Sequence, residues 1–154
     1  MNNASKFVMV IAGLVIAACQ PRTGGDQGAE IEFLNMPGTE NLNRPFSTAV
    51  RVDNTLYLSG VIGTDPVERR PIAGGIQAET KRAMEIIRDE LETFGSSMDR
   101  IVKCTVFLAD IDEWPAMNEV YVTFFETPPA RSALGTSGLA LNARMEIECI
   151  AIVD

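Results

Sequence analysis

The stretch "ARSALGTSGLALNARMEIECIAIV", Ala130 to Val153, carries the side chains best suited to chemistry: Arg131 in apolar surroundings, then Glu146 and Glu148 two residues apart. A planar guanidinium binds a carboxylate through two parallel charge-assisted hydrogen bonds, which lysine cannot do. A carboxylate can hold or deprotonate a water. The chain has no histidine, which excludes Ser-His-Asp triads, imidazole bases and nearly every familiar zinc or iron site. Any chemistry must therefore use Glu, Asp, Arg, backbone groups or water. The bland alternative for Arg131 is a structural ion pair within a sheet.

The pleat of the last segment decides which of these groups share a face. In "MEIECIAIV", Met145, Ile147, Cys149, Ala151 and Val153 alternate with Glu146, Glu148, Ile150 and Ile152. Successive strand residues point to opposite faces. The first set is expected toward a core and the second toward the other face. Carboxylates mixed with large aliphatics suit a surface where subunits associate around a partly polar pocket, and equally a solvated face with scattered isoleucines.

The remaining elements must position those groups. The chain of 154 residues allows one ordinary domain. With 46% hydrophobic and 22% charged residues, a packed core is expected. "IEFLN" (Ile31 to Asn35) is a short strand candidate, and Ala49–Val52 and Thr55–Ser59 form a hairpin around Asp53-Asn54. Between Ile76 and Phe94 an apolar stripe of Ala83, Ile87, Leu91 and Phe94 predicts an amphipathic helix, with Arg82, Glu85, Asp89 and Glu92 away from it and Gly95 as its stop. "IVKCTVFLAD" is an inner strand. "DEWPAMNEVYVTFF" is a second helix, with Asp112 as N-cap, Pro115 in its first turn, and Met117, Val120, Tyr121 and Phe124 inward. Two strands close the chain. The order βββαβαββ predicts an α+β sheet with both helices on one face and the other face in need of a partner.

A net charge of -8 and a pI near 4.6 argue against nucleic-acid binding, which needs clustered Lys and Arg. The first segment, residues 1–18, has Lys6 as its only charge, a twelve-residue apolar run from Phe7 to Ala18 and then Cys19, the layout of a secretory signal peptide. The run is shorter than the roughly 20 residues of a membrane span. "IAAC", Ile16 to Cys19, resembles a bacterial lipobox, so Cys19 is expected as a lipid attachment site, with a plain signal peptide or an uncleaved anchor as alternatives. Gln20 after Cys19 resembles the pattern of outer-membrane sorting in a Gram-negative host. Residues 19–30 read as the lipid site and a flexible tether, and residues 31–154 as the folded domain.

"RPFSTAVRVDNTLYLSGVIGTDP", the segment from Gly74 to Phe125, and "PPARSALG…ALNARMEIECIAIV" resemble the RidA/YjgF reactive-intermediate deaminase family from about Ile31 to Asp154. The resemblance implies a chorismate-mutase-like α+β fold, a homotrimer with pockets between subunits, and hydrolysis of 2-imino or 2-enamino acids to 2-oxo acids and ammonia. It implies no metal or organic cofactor, and small 2-imino and 2-oxo acids as ligands. By the same resemblance Arg131 pairs with the substrate carboxylate and Glu146 holds or activates water. Ser59, Gly60, Asn118, Phe46 and Ala133 fall at substrate-binding positions. This chain departs from the family at Phe46, where tyrosine is usual, at Val61, where many members have glutamine, and at Ala133, where many have cysteine. A relative that binds small carboxylates without turnover, or a lipid-anchored chaperone-like trimer, is the alternative. Cys104 and Cys149 occupy inward strand positions and are expected as core residues rather than as a disulfide, although export would permit oxidation.

Overall fold

Asp53 and Asn54 close a two-residue hairpin loop between β2 (Ala49–Val52) and β3 (Thr55–Leu58), with Val52 opposite Thr55. Asp53 sits at φ 52, a left-handed conformation that aspartate tolerates and a β-branched residue would not. Its side chain accepts a hydrogen bond from the Glu30 N–H, which ties the start of β1 (Ile31–Leu34) to this hairpin. The computed structural model describes residues 28–39 and 42–153. The expected signal peptide (residues 1–18), the expected lipid site Cys19 and residues 20–27 of the expected tether lie outside the described residues.

The chain continues as α1 (Gly75–Thr93), β4 (Ile101–Leu108), α2 (Trp114–Tyr121), β5 (Ala130–Gly135) and β6 (Met145–Ile152). The strands form one sheet in the order β1-β2-β3-β6-β4-β5, antiparallel except where β5 runs parallel to β4 across the α2 crossover. The expected α+β order is what the chain adopts. α1 ends in a Schellman arrangement: Gly95 at φ 81 donates to the Glu92 carbonyl, and the Ser96 N–H reaches the Leu91 carbonyl at 2.8 Å. Gly95 thus stops the helix as its sequence position predicts.

At α2 the structure corrects the expected cap. A short 3-10 turn, Ile111–Glu113, precedes the helix, and the Asp110 side chain, rather than that of Asp112, accepts the Asp112 N–H at 3.0 Å. Pro115 still occupies the first turn, where a missing N–H costs nothing.

The core fills the space between the two helices and one face of the sheet. Met84, Ile87 and Leu91 of α1 and Met117 and Tyr121 of α2 pack on Leu56, Val106, Leu108, Met145 and Ile147, all essentially fully buried. Burying each large aliphatic side chain contributes roughly 1.5–3 kcal/mol. Among the expected inward residues of the second helix, Val120 and Phe124 are only partly buried.

The structure also overturns the expectation for the cysteines. Cys104 and Cys149 are directly opposite on β4 and β6 with their Cα atoms 4.1 Å apart, and they form a disulfide. The close spacing is that of a narrow antiparallel pair, which brings two inward side chains together.

Candidate active site

Two clusters emerge, on opposite faces of the sheet. β5 pairs with β4 so that Arg131 lies beside Cys104 and Ala133 beside Val106, both buried residues of the helix-covered face. Arg131 and Ala133 therefore point to the α2 side. There the Arg131 Nη2 donates to Asn118 Oδ1 at 2.8 Å, and the guanidinium stacks on the Tyr121 ring at 4.4 Å. A cation over an aromatic face is held in one plane. The buried Nη1 has no acceptor among the described residues, and neither does the buried Tyr121 hydroxyl. Burial pushes the Tyr121 phenol up and the Arg131 charge opposes it. The arrangement is an oriented guanidinium fork with one donor, Nη1, unused among the described residues.

Glu146 faces the other way. It lies opposite Phe107 on β4, on the pleat that carries Glu148 and Ile150, while Met145, Ile147 and Cys149 are buried under the helices. The extension of β3 supports it: Val61 and Ile147 exchange N–H···O bonds of 2.8 and 3.0 Å. A Cβ at Gly60 would lie 1.9 Å from the Glu146 Oε1, so any larger residue there would push the carboxylate out of its place. Ser59 is occupied in holding the preceding loop, its hydroxyl donating to the Ser47 carbonyl at 2.7 Å.

Glu146 lines a pocket of about 520 Å³ together with Gly60, Val61, Phe46, Arg44 and Glu90. Phe46 is half exposed, with the Arg44 guanidinium 5.9 Å from its ring centre. Glu148 lines a separate, smaller cleft with Tyr57, Lys103, Thr105 and Ile150 on the helix-free face.

Of the residues singled out from sequence, the fold brings Arg131 to Asn118, and Glu146 to Gly60 and Phe46. It does not join the two groups within one chain. Sequence reasoning passed over Glu90 altogether. Its signal was spacing, since it follows Ile87 by three residues on the buried side of α1 and is only 7% exposed. Glu79, 4% exposed, also went unremarked; it accepts the Arg144 N–H at 2.8 Å just ahead of β6, and burial raises its pKa against that bond. Among the described residues no cluster of three or more Cys, Asp or Glu side chains is arranged to hold a metal ion.

Comparison with known proteins places these groups in a common frame. The profile of the family described as Endoribonuclease L-PSP matches residues 39–153. The mouse 2-iminobutanoate/2-iminopropanoate deaminase is 39% identical over 109 residues, 70% of this chain and 81% of that protein. Among solved structures, RidA from the Antarctic bacterium Psychrobacter is 34% identical with a TM-score of 0.68, covering 72% of this chain and 90% of that one. Escherichia coli TdcF with bound serine is 29% identical with the same TM-score of 0.68 and the same coverage. The chain belongs to the Endoribonuclease L-PSP family, the RidA/YjgF family that its motifs around Arg131 and Glu146 resemble.

Proposed function

We propose that this protein hydrolyses 2-imino and 2-enamino acids to 2-oxo acids and ammonia, at pockets formed between the subunits of a homotrimer. The carrying observation is the division of the site: the oriented Arg131 guanidinium and the Glu146 carboxylate leave the sheet on opposite faces of the pleat. A ligand that needs both must lie between two copies. The helix-free face offers apolar surface for association, with Ile31, Phe33 and Tyr57 exposed there beside Ile150. Relatives that carry the deaminase name at about 40% identity support the reaction class.

The chemistry follows from the groups. Arg131 of one subunit binds the substrate carboxylate and turns the imine carbon toward Glu146 of the next. A protonated imine is already electrophilic, so no covalent nucleophile is needed. Water adds to the carbon while Glu146 takes one of its protons, giving a neutral carbinolamine. Glu146 then returns that proton to the nitrogen, the C–N bond breaks, and the departing ammonia takes the hydroxyl proton. The products are a 2-oxo acid and ammonium, with Glu146 restored. The family description raises RNA cleavage as a rival, but a chain of net charge -8 without histidine lacks both the phosphate-binding surface and the usual acid and base for it.

The test is a coupled assay in which an amino-acid oxidase generates imines and 2-oxo acid release is followed with and without the purified protein. Acceleration by wild type is the expected outcome. Binding of 2-oxo acids without acceleration would replace this reading with a carboxylate-binding module.

Export is part of the same reading. We place the protein as a lipoprotein anchored through Cys19, on the periplasmic side of the outer membrane if the host is Gram-negative, on the strength of "IAAC" after a short apolar run. Cys19→Ser is expected to abolish incorporation of labelled lipid and release the protein from the membrane fraction. Unchanged labelling and partition would contradict the anchor. Among the described residues no helix is long and apolar enough to cross a membrane.

A further inference from the structure

The pocket that holds Glu146 contains more machinery than a short imino acid needs. Its volume of about 520 Å³ falls in the range of pockets that enclose drug-sized ligands. One wall is α1, which contributes Ile86 and Glu90 one helical turn apart.

Glu90 is an odd residue to find there. It is only 7% exposed, and its buried Oε2 has no hydrogen-bond partner among the described residues. Packing does not explain it, since a leucine would fill the position without the cost of desolvating a carboxyl group. Burial pushes its pKa up to about 8, with Arg44 pulling in the opposite direction and Asp89 adding to the rise. Near neutral pH it is therefore largely a carboxylic acid, a donor without an acceptor among the described residues. Arg44 and Arg69 line the same pocket and can only donate. Asp65, also on the wall, has one oxygen engaged, since its Oδ1 accepts both the Val67 and Glu68 N–H groups at 2.8 Å.

We infer that Glu90 and Arg44 form a distal subsite that selects 2-imino acids whose side chain ends in an anionic hydrogen-bond acceptor, such as the imines of dicarboxylic amino acids. The inference rests on the proposed imine hydrolysis and names the substrate class for it. The substrate's own carboxylate goes to Arg131, its imine carbon to Glu146, and its side-chain carboxylate receives the Glu90 O–H and the Arg44 guanidinium. A cationic side chain fits less well, because it would require Glu90 to ionise where burial opposes the charge.

The sign of the pH dependence follows. Below about pH 8 Glu90 is protonated and donates; above it the carboxylate repels the ligand's distal anion. The other charged groups facing the pocket are Arg44, Arg69, Asp65 and Glu146. The hydrogen bonds to Asp65 hold its carboxyl below the usual range, so it stays ionised. Glu146 is present in every variant compared, so a change seen only on altering Glu90 belongs to Glu90.

The test is calorimetric binding of two stable 2-oxo acids, 2-oxoglutarate and 2-oxobutanoate, to the full-length protein at pH 6.5 and 9.5. At pH 6.5 the dicarboxylate is expected to bind roughly tenfold tighter or better, the worth of one charge-assisted hydrogen bond. At pH 9.5 the advantage shrinks. Glu90→Gln, whose amide still donates, keeps the preference and flattens its pH dependence, whereas Glu90→Leu and Arg44→Ala each reduce the preference. Equal affinities at both pH values, failure of either acid to bind, or an unaltered preference in Glu90→Leu would overturn the inference. A preserved preference in a protein without imine turnover would leave this subsite standing and remove the catalytic reading; turnover without preference would do the reverse.

Discussion

Arg131→Ala is expected to lower kcat/KM for imine hydrolysis far more than it weakens binding of the 2-oxo product. The guanidinium is held in place by Asn118 at 2.8 Å and by the Tyr121 ring, with one nitrogen unpartnered. Losing its charge-assisted bonds to a carboxylate costs roughly 1.5–3 kcal/mol, about tenfold or more in affinity. Turnover suffers a further loss, because a substrate that no longer holds its register presents the imine carbon to Glu146 in the wrong geometry. Arg131→Lys should recover little, since an ammonium cannot reproduce the planar fork. Glu146→Gln separates the two roles: product binding stays nearly intact, while kcat falls by roughly 10²–10⁴ through loss of the base. Melting temperatures of all three variants control for damage to the fold. Wild-type hydrolysis in both Arg131→Ala and Glu146→Gln would refute the mechanism.

Removal of the disulfide should produce the largest change in stability. Cys104 and Cys149 are 45 residues apart in sequence and tie β4 to β6. In the chain-entropy account, closing a loop of that length in the unfolded state stabilises the fold by about 4 kcal/mol. For a domain of this size that is a fall in melting temperature of more than about 10 °C. Cys104→Ala with Cys149→Ala should therefore unfold at much lower denaturant than the oxidised wild type, and reductant should shift only the wild type. Identical midpoints with and without reductant, together with free thiols at both positions, would show the bond to be absent in solution.

The parts of this molecule that were readable from sequence are those governed by local periodicity. The alternation in β6 sorts Met145, Ile147 and Cys149 from Glu146, Glu148 and Ile150 without knowledge of any partner strand. The Asp53-Asn54 turn and the Gly95 stop declare themselves because few other residues accept their backbone conformations. Register is different, since it depends on a strand far away in the chain. Cys104 and Cys149 could both be placed inward, but their being directly opposite could not be read, and so the disulfide was missed. "ARSALG" shows no clean alternation, and only its parallel pairing with β4 puts Arg131 on the helix-covered face, away from Glu146. The cap moved from the expected Asp112 to Asp110 because of a 3-10 turn that has no periodic signature. Glu90 was hidden by its own chemistry, because a charged residue on a helix stripe reads as the edge of the solvated face.

The central claim, a deaminase site completed only by two subunits, is tested most directly by mixing two inactive chains. Arg131→Ala and Glu146→Gln protomers are unfolded together in equal amounts, refolded, and assayed for 2-oxo acid release from enzymatically generated imines. In a trimer whose pockets take arginine from one subunit and glutamate from its neighbour, half of the chains supply each intact group, so about one quarter of pockets are whole. The account predicts recovery of about a quarter of wild-type activity in the refolded mixture as a whole and none in either parent refolded alone. Mixed trimers that remain inactive, while wild-type protein refolded in parallel regains its activity, would contradict a site shared between subunits.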